Sequence, residues 1–213
     1  NDEACQRVIN SISAEKSEKD IVKDLLAIHE DLGVEGLSFD PIIGYGANGA
    51  NPHAQPGERV VQTGDMIVMD YGAGYLDYHS DMTRTVVVGA PSEEQQHVFD
   101  VVRKANETCA AAIHAGVTGS DIHNLAVKVI SEAGYGEYFG HGLGHGVGVE
   151  IHERPFFNPR WNKVIAAGSV VTDEPGIYLP GKFGIRLEDF GVVTEDGYDV
   201  FTQSTHDLVS VGC

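Results

Sequence analysis

The sequence predicts an α+β fold with a largely antiparallel sheet and helices on one side of it. Two observations carry that expectation. Helical and strand-like segments come in blocks (helix, strands, two helices, strands) where a parallel sheet would need them to alternate. From residue 139 onward, short strand-like pieces separated by turn residues continue to the end. In chain order, residues 3–33 read as one helix, with Ile21, Val22, Leu25, Leu26, Ile28 and Leu32 near helical spacing and Gly33 as the stop. Residues 39–53 contain GYGANGANPH and read as loop. DMIVMDYGAGY and TRTVVVG read as short strands. Residues 92–116 form a second helix, capped by Ser92, with Glu94 and Gln95 in its first turn and Gly116 at its end. GSDIHNLAVKVISEAGYG is a third, capped by Ser120 or Asp121 and stopped near Gly134. GSVVTDEPGIYL and GIRLEDFGVVTEDG are the clearest of the later strands.

Composition narrows the function classes. The chain has 213 residues, enough for one large domain with a sizeable core. A net charge of −18 argues against nucleic acid as a partner, because a phosphate backbone is met by a basic face. No apolar run is long enough to span a membrane. The first residues, NDEACQRVIN, lack the apolar core of a signal peptide, which points to the cytoplasm. Cys5, Cys109 and Cys213 are odd in number and widely spaced, so they form neither a disulfide framework nor a metal pattern.

The chemistry-bearing residues interrupt apolar segments. GHGLGHGVG, residues 140–148, is a poor helix, since each interior glycine costs about 1 kcal/mol relative to alanine. As an extended strand it would put His141 and His145 on one face, with the glycines letting the backbone pass close to a crowded centre. Asp70, Asp81, Glu174 and Glu188 each break a stretch that otherwise reads as buried strand. Carboxylates are rarely buried unless paired or bound to metal. Four oxygen donors and an imidazole suit Mn, Fe, Co or Zn, and a set so rich in carboxylate can bridge two ions.

These residues fall in motifs that resemble those of the pita-bread metallopeptidases: methionine aminopeptidase, Xaa-Pro aminopeptidase and prolidase. The resemblance runs over nearly the whole chain. It implies the pita-bread (creatinase/aminopeptidase) fold and one catalytic domain over residues 1–213, without the N-terminal domain usual in the Xaa-Pro branch. It also implies five metal ligands: Asp70 in MDYGAGY, Asp81 in SDMTRT, His145 in GHGVG, Glu174 in EPG and Glu188 in RLED. Three active-site histidines outside the metal set follow in the same way, as His53 in NPHAQP, His141 in GHGLGH and His152 in IHERP. EPGIY and GIRLED resemble the Xaa-Pro and prolidase branch more than methionine aminopeptidases.

The resemblance implies a dinuclear-metal peptidase, with manganese first among the two ions' identities and Co, Fe or Zn compatible. The substrate would be a short proline-containing peptide or dipeptide, cut at its first peptide bond by metal-activated water, and a homodimer would be compatible with the family. In this reading Glu174 handles the proton and His152 stabilises the oxyanion. His53 contacts the substrate near the scissile amide, and His141 lines the pocket for the residue after it. Arg186 either pairs with a substrate carboxylate or supports Glu188. Tyr178 and Trp161 are expected in the core or pocket wall, and Asp189 beside its neighbouring ligand. Departures from the family are Asp173, where an apolar residue is usual, and SAEKSEKD in place of the usual turn after the first helix. Strand alternation points Asp173 away from Glu174. The alternatives that stay open are a metal-dependent hydrolase or lyase of a small molecule on the same fold, and a non-catalytic binding module.

Overall fold

The computed structural model describes residues 1–212. Helix α1 (Asp2–Ser11) ends at Ile12, whose backbone is extended, and α2 (Glu18–Asp31) begins after Ser17. The single helix expected over 3–33 is therefore two. The reason is local: Ser17 and Asp20 form a reciprocal capping box, each side chain accepting the other's backbone N–H. That signal starts a new helix inside a polar run that offers no apolar face to carry the first one onward. Gly33 ends α2 with φ at +75°, as glycine can.

After α2 come β1 (Gly36–Leu37), β2 (Ile42–Tyr45), a 3-10 turn (Asn48–Ala50), β3 (Met66–Tyr71), β4 (Ala73–Tyr75), β5 (Tyr78–His79) and β6 (Met82–Val88). β2 corrects the expectation that residues 39–53 are all loop. Its four residues pair with β3 in the register Ile42–Asp70 to Tyr45–Ile67. Helices α3 (Glu93–Ala110) and α4 (Gly119–Glu132) follow. Ser92 caps α3 as expected, in a capping box with Gln95. The helix stops at Ala110, short of the expected Gly116, which instead takes a positive φ in the next turn. The cap of α4 is Thr118, whose hydroxyl accepts Asp121 N–H at 3.2 Å; Ser120 donates to Asn162 Oδ1. The remaining strands are β7 (Gly144–Gly146), β8 (Glu153–Phe157), β9 (Val170–Asp173), β10 (Gly176–Leu179), β11 (Phe183–Arg186), β12 (Asp189–Val193), β13 (Tyr198–Val200) and β14 (Ser210–Val211).

The architecture is the antiparallel-rich, helix-flanked pita-bread arrangement, and it is built as two halves. In the first, the sheet β14-β6-β3-β2 is covered by α1 and α2, which bury Val8, Ile21 and Leu25 against Ile43, Ile67 and Val86. In the second, α3 and α4 cover β13-β12-β9-β7-β8 and the β10–β11 hairpin, with Phe99, Val102 and Ile130 in one core with Phe157, Ile177 and Ile185. Each such side chain contributes about 1.5–3 kcal/mol when fully buried. Among the described residues, β14 alone pairs in parallel, with β6. β3 and β6 are buried along their whole lengths because helices cover one face and the other half of the molecule the other. The halves meet at an isolated bridge between Thr83 and Glu188, and that seam holds the site. Among the described residues, no helix is long and apolar enough to cross a membrane. Cys5 and Cys109 are buried free thiols, and Cys213 lies outside the described residues.

Candidate active site

Each half supplies part of one cavity of about 550 Å³, and the nine residues expected to hold metal or substrate line it. From the first half, Asp70 projects from β3 and Asp81 stands just before β6. From the second, His145 sits in β7, Glu174 follows β9, and Glu188 lies between β11 and β12. His53 and His152 are exposed at the cavity surface. The His152 ring meets the His145 ring edge-on with centroids 4.3 Å apart.

Donor atoms of Asp81, His145 and Glu188 lie within 4.8 Å of one another. His145 Nε2 is 3.5 Å from Asp81 Oδ2 and 3.4 Å from Glu174 Oε1. Its Nδ1 is 3.0 Å from the carbonyl of Gly146, which assigns the ring proton to Nδ1 and leaves the Nε2 lone pair facing two carboxylates. Burial lowers the His145 pKa to about 4, so the ring is neutral near pH 7. An imidazole lone pair set against two carboxyl groups is an arrangement that a divalent cation resolves. Asp70 Oδ1 and Asp81 Oδ1 are also buried without a hydrogen-bond partner. Burial pushes Asp81, Glu174 and Glu188 well above the usual carboxylate range, and the neighbouring acids push the same way. The four carboxylates and one imidazole thus fit divalent metal: buried, crowded oxygen donors whose mutual repulsion a cation would relieve, and a histidine held in the ligating tautomer.

Around this set runs a hydrogen-bond network centred on Arg186. Its Nη2 donates to Asp70 Oδ2, its Nε to Thr83 Oγ1 at 3.0 Å, and its Nη1 to Tyr178 Oη at 2.8 Å and to the Pro52 carbonyl at 3.4 Å. Thr83 passes the contact on, donating to Glu188 Oε2 at 2.6 Å. Tyr178 Oη is 2.8 Å from His141 Nε2, and His141 Nδ1 is 2.7 Å from the Gly142 carbonyl, so both ring nitrogens are engaged. Burial and the Arg186 charge lower the His141 pKa to about 4. On the far side of Glu188, Arg84 donates to its carbonyl at 2.7 Å and to Asp189 Oδ1 at 2.7 Å.

Sequence reasoning did not single out Thr83, Arg84, Phe39 or Asp40. The two first-named lie inside the quoted TRT run; Phe39 and Asp40 line the cavity from the start of the segment read as loop. The glycines around His145 have a different cause from the one expected. A Cβ on Gly144 would collide with the Thr172 carbonyl of β9, and one on Gly146 would lie 2.6 Å from the Arg154 carbonyl. They admit neighbouring backbone, and the site benefits only indirectly. β7 is just three residues long, with a bulge between His145 and Gly146, so His141 precedes the strand and does not share its face with His145.

A profile of metallopeptidase family M24 matches residues 1–195. The Xaa-Pro dipeptidase of Pyrococcus horikoshii is 37% identical over 208 residues, covering 98% of this chain and 59% of that protein. The crystal structure of an X-Pro aminopeptidase from Thermotoga maritima superposes with a TM-score of 0.96 at 41% identity, covering 98% of this chain and 59% of that one. An Xaa-Pro dipeptidase from Bacillus anthracis gives 0.97 at 40%, with 99% and 59% covered. The chain thus spans about three-fifths of the length of these relatives. With the site residues in their motifs and the profile matched over most of its length, the chain belongs to metallopeptidase family M24, in the branch of Xaa-Pro aminopeptidases and prolidases.

Proposed function

We propose that the chain is a dinuclear-metal peptidase that hydrolyses the first peptide bond of Xaa-Pro peptides or dipeptides. The observation that carries this is the His145 Nε2 lone pair facing Asp81 and Glu174 at 3.5 and 3.4 Å on the floor of the cavity. Asp70, Asp81, His145, Glu174 and Glu188 would hold two divalent ions, manganese first, which supply a Lewis acid and a water of lowered pKa.

The chain's own groups do the rest. Glu174 takes the proton as water adds to the carbonyl carbon and returns it to the departing amine. Its carboxyl is 17% exposed at the cavity wall, where it can face the attacking water. His152 stands exposed beside His145, where an imidazole N–H can donate to the developing oxyanion. His53 lines the same cavity, where it would contact the substrate near the scissile amide. His141, with both nitrogens engaged, offers its ring as a wall for the residue after the cut. Arg186 acts as support for Asp70, Thr83 and Tyr178; its donors are directed at the protein, which disfavours the pairing with a substrate carboxylate.

The test is hydrolysis of Gly-Pro and of a longer Xaa-Pro-Xaa peptide by metal-stripped protein reloaded with manganese. Cleavage that disappears in Glu188→Ala is expected, and the preferred length separates prolidase from aminopeptidase behaviour. Two bound ions with no cleavage of either peptide would overturn the substrate assignment.

A further inference from the structure

The first part of the connection between β2 and β3, residues 45–57, is tied at both ends to one carboxylate on another element. Glu18, the first residue of α2, is 1% exposed. Its Oε1 accepts the backbone N–H of Tyr45 at 2.7 Å, and its Oε2 accepts that of Gly57 at 2.6 Å. Asn48 Nδ2, from inside the loop, reaches both oxygens at 2.9 Å and also the Gln55 carbonyl at 3.2 Å. The backbone of the same helical turn adds Lys19 N–H to the Gly57 carbonyl at 3.2 Å. An acceptor-only group thus meets three N–H donors, two of them at opposite ends of one loop.

What the loop carries is the rim of the active-site cavity. Pro52, His53 and Gln55 line it, and the Pro52 carbonyl accepts from Arg186 Nη1 at 3.4 Å. His53 is exposed, and its backbone N–H bonds to Asn51 Oδ1 at 3.0 Å, within the loop itself. Its position therefore depends on how the loop is held; Arg186 anchors it at Pro52 from the cavity side, and Glu18, which does not itself line the cavity, closes its base.

We propose that Glu18 is a positioning residue that acts through the 45–57 loop to hold His53 and Pro52 against the substrate; its catalytic consequence rests on the peptidase reading above. A carboxylate is required there. A glutamine of the same shape would turn an amide N–H₂ against the N–H of Tyr45 or Gly57, leaving donors facing donors. The loss falls on loop order and substrate binding, and the five metal-facing side chains keep their own contacts.

The experiment uses the metal-loaded chain with Glu18→Gln, His53→Ala, and the two combined. Amide hydrogen exchange in 45–57 is expected to accelerate by about tenfold in Glu18→Gln, with α3 and α4 unchanged. KM for an Xaa-Pro-Xaa peptide is expected to rise by about tenfold at unchanged metal content, and the double variant to be no worse than the poorer single one. Unchanged exchange in 45–57, or penalties of Glu18→Gln and His53→Ala that multiply, would overturn the proposal. Should Glu18→Gln fail to fold, Asn48→Ala removes the link inside the loop while leaving α2 intact, and the same exchange pattern decides. If the parent chain cleaves no peptide, the peptidase reading fails, and the exchange arm still decides whether Glu18 orders the loop.

Discussion

Asp173 is fully buried in β9, and neither of its carboxylate oxygens has a hydrogen-bond partner. Burial raises its pKa well above the usual value, with the Asp189 charge adding to the effect. A group raised in the folded state stabilises below its unfolded pKa and loses that stabilisation as pH climbs through the folded one. Asp173→Val, which fills the site with an apolar strand former, should stabilise the fold by about 1–3 kcal/mol at neutral pH and by less at pH 4. Denaturant unfolding at the two pH values checks this; a gain that is absent at neutral pH would mean that the carboxylate has a partner. The alternation that turns Asp173 inward and Glu174 toward the cavity was legible in VVTDEPG, because a period of two needs only neighbours. The contacts of Arg186 were not. Thr83 and Asp70 lie 103 and 116 positions away, and no local pattern encodes who meets whom across a seam.

Elements differ in how far their limits are written locally. The start of α3 was readable because Ser92 and Gln95 form their capping box within four residues. The break between α1 and α2 obeys the same rule, yet the expectation of one helix over 3–33 rests on the apolar spacing of Ile21 to Leu32 and passes over the Ser17–Asp20 signal. β2 was hidden for the opposite reason: glycine and proline around it signal a turn, and only pairing with β3 makes Ile42–Tyr45 a strand. β7 shows how pairing constrains sequence. Gly144→Ala would press its methyl into the Thr172 carbonyl, whereas nothing lies within 4 Å of a methyl on Gly140. Gly144→Ala should cost about 1–3 kcal/mol and reduce bound metal, since the adjacent His145 must shift with the strand. Gly140→Ala should stay within about 0.5 kcal/mol of the parent. Thermal unfolding with metal analysis of both variants tests this, and equal costs would show that β7 can move aside from β9.

At the scale of the molecule, the seam between the two halves gathers acids that neither half would hold alone. Asp70 and Asp81 come from one half and Glu174 and Glu188 from the other, and burial with mutual repulsion raises Asp81, Glu174 and Glu188 well above their unfolded values. Without metal, closing the seam therefore becomes less favourable as pH rises from about 4, where unfolded carboxylates ionise, toward neutrality. Metal held there would reverse the sign, because it would bind the deprotonated carboxylates and the folded seam alone. Free ion at a thousand times its dissociation constant adds about 4 kcal/mol, which for a chain of this size is on the order of 10 °C in Tm. The difference in Tm between manganese-loaded and chelator-treated protein should accordingly widen from pH 5 to pH 8. Scanning calorimetry at both pH values measures it. A difference that is equal at the two would mean that the ion sits elsewhere than on these carboxylates, and that the two halves are joined by Thr83, Thr85 and Arg186 across the seam without the metal's help.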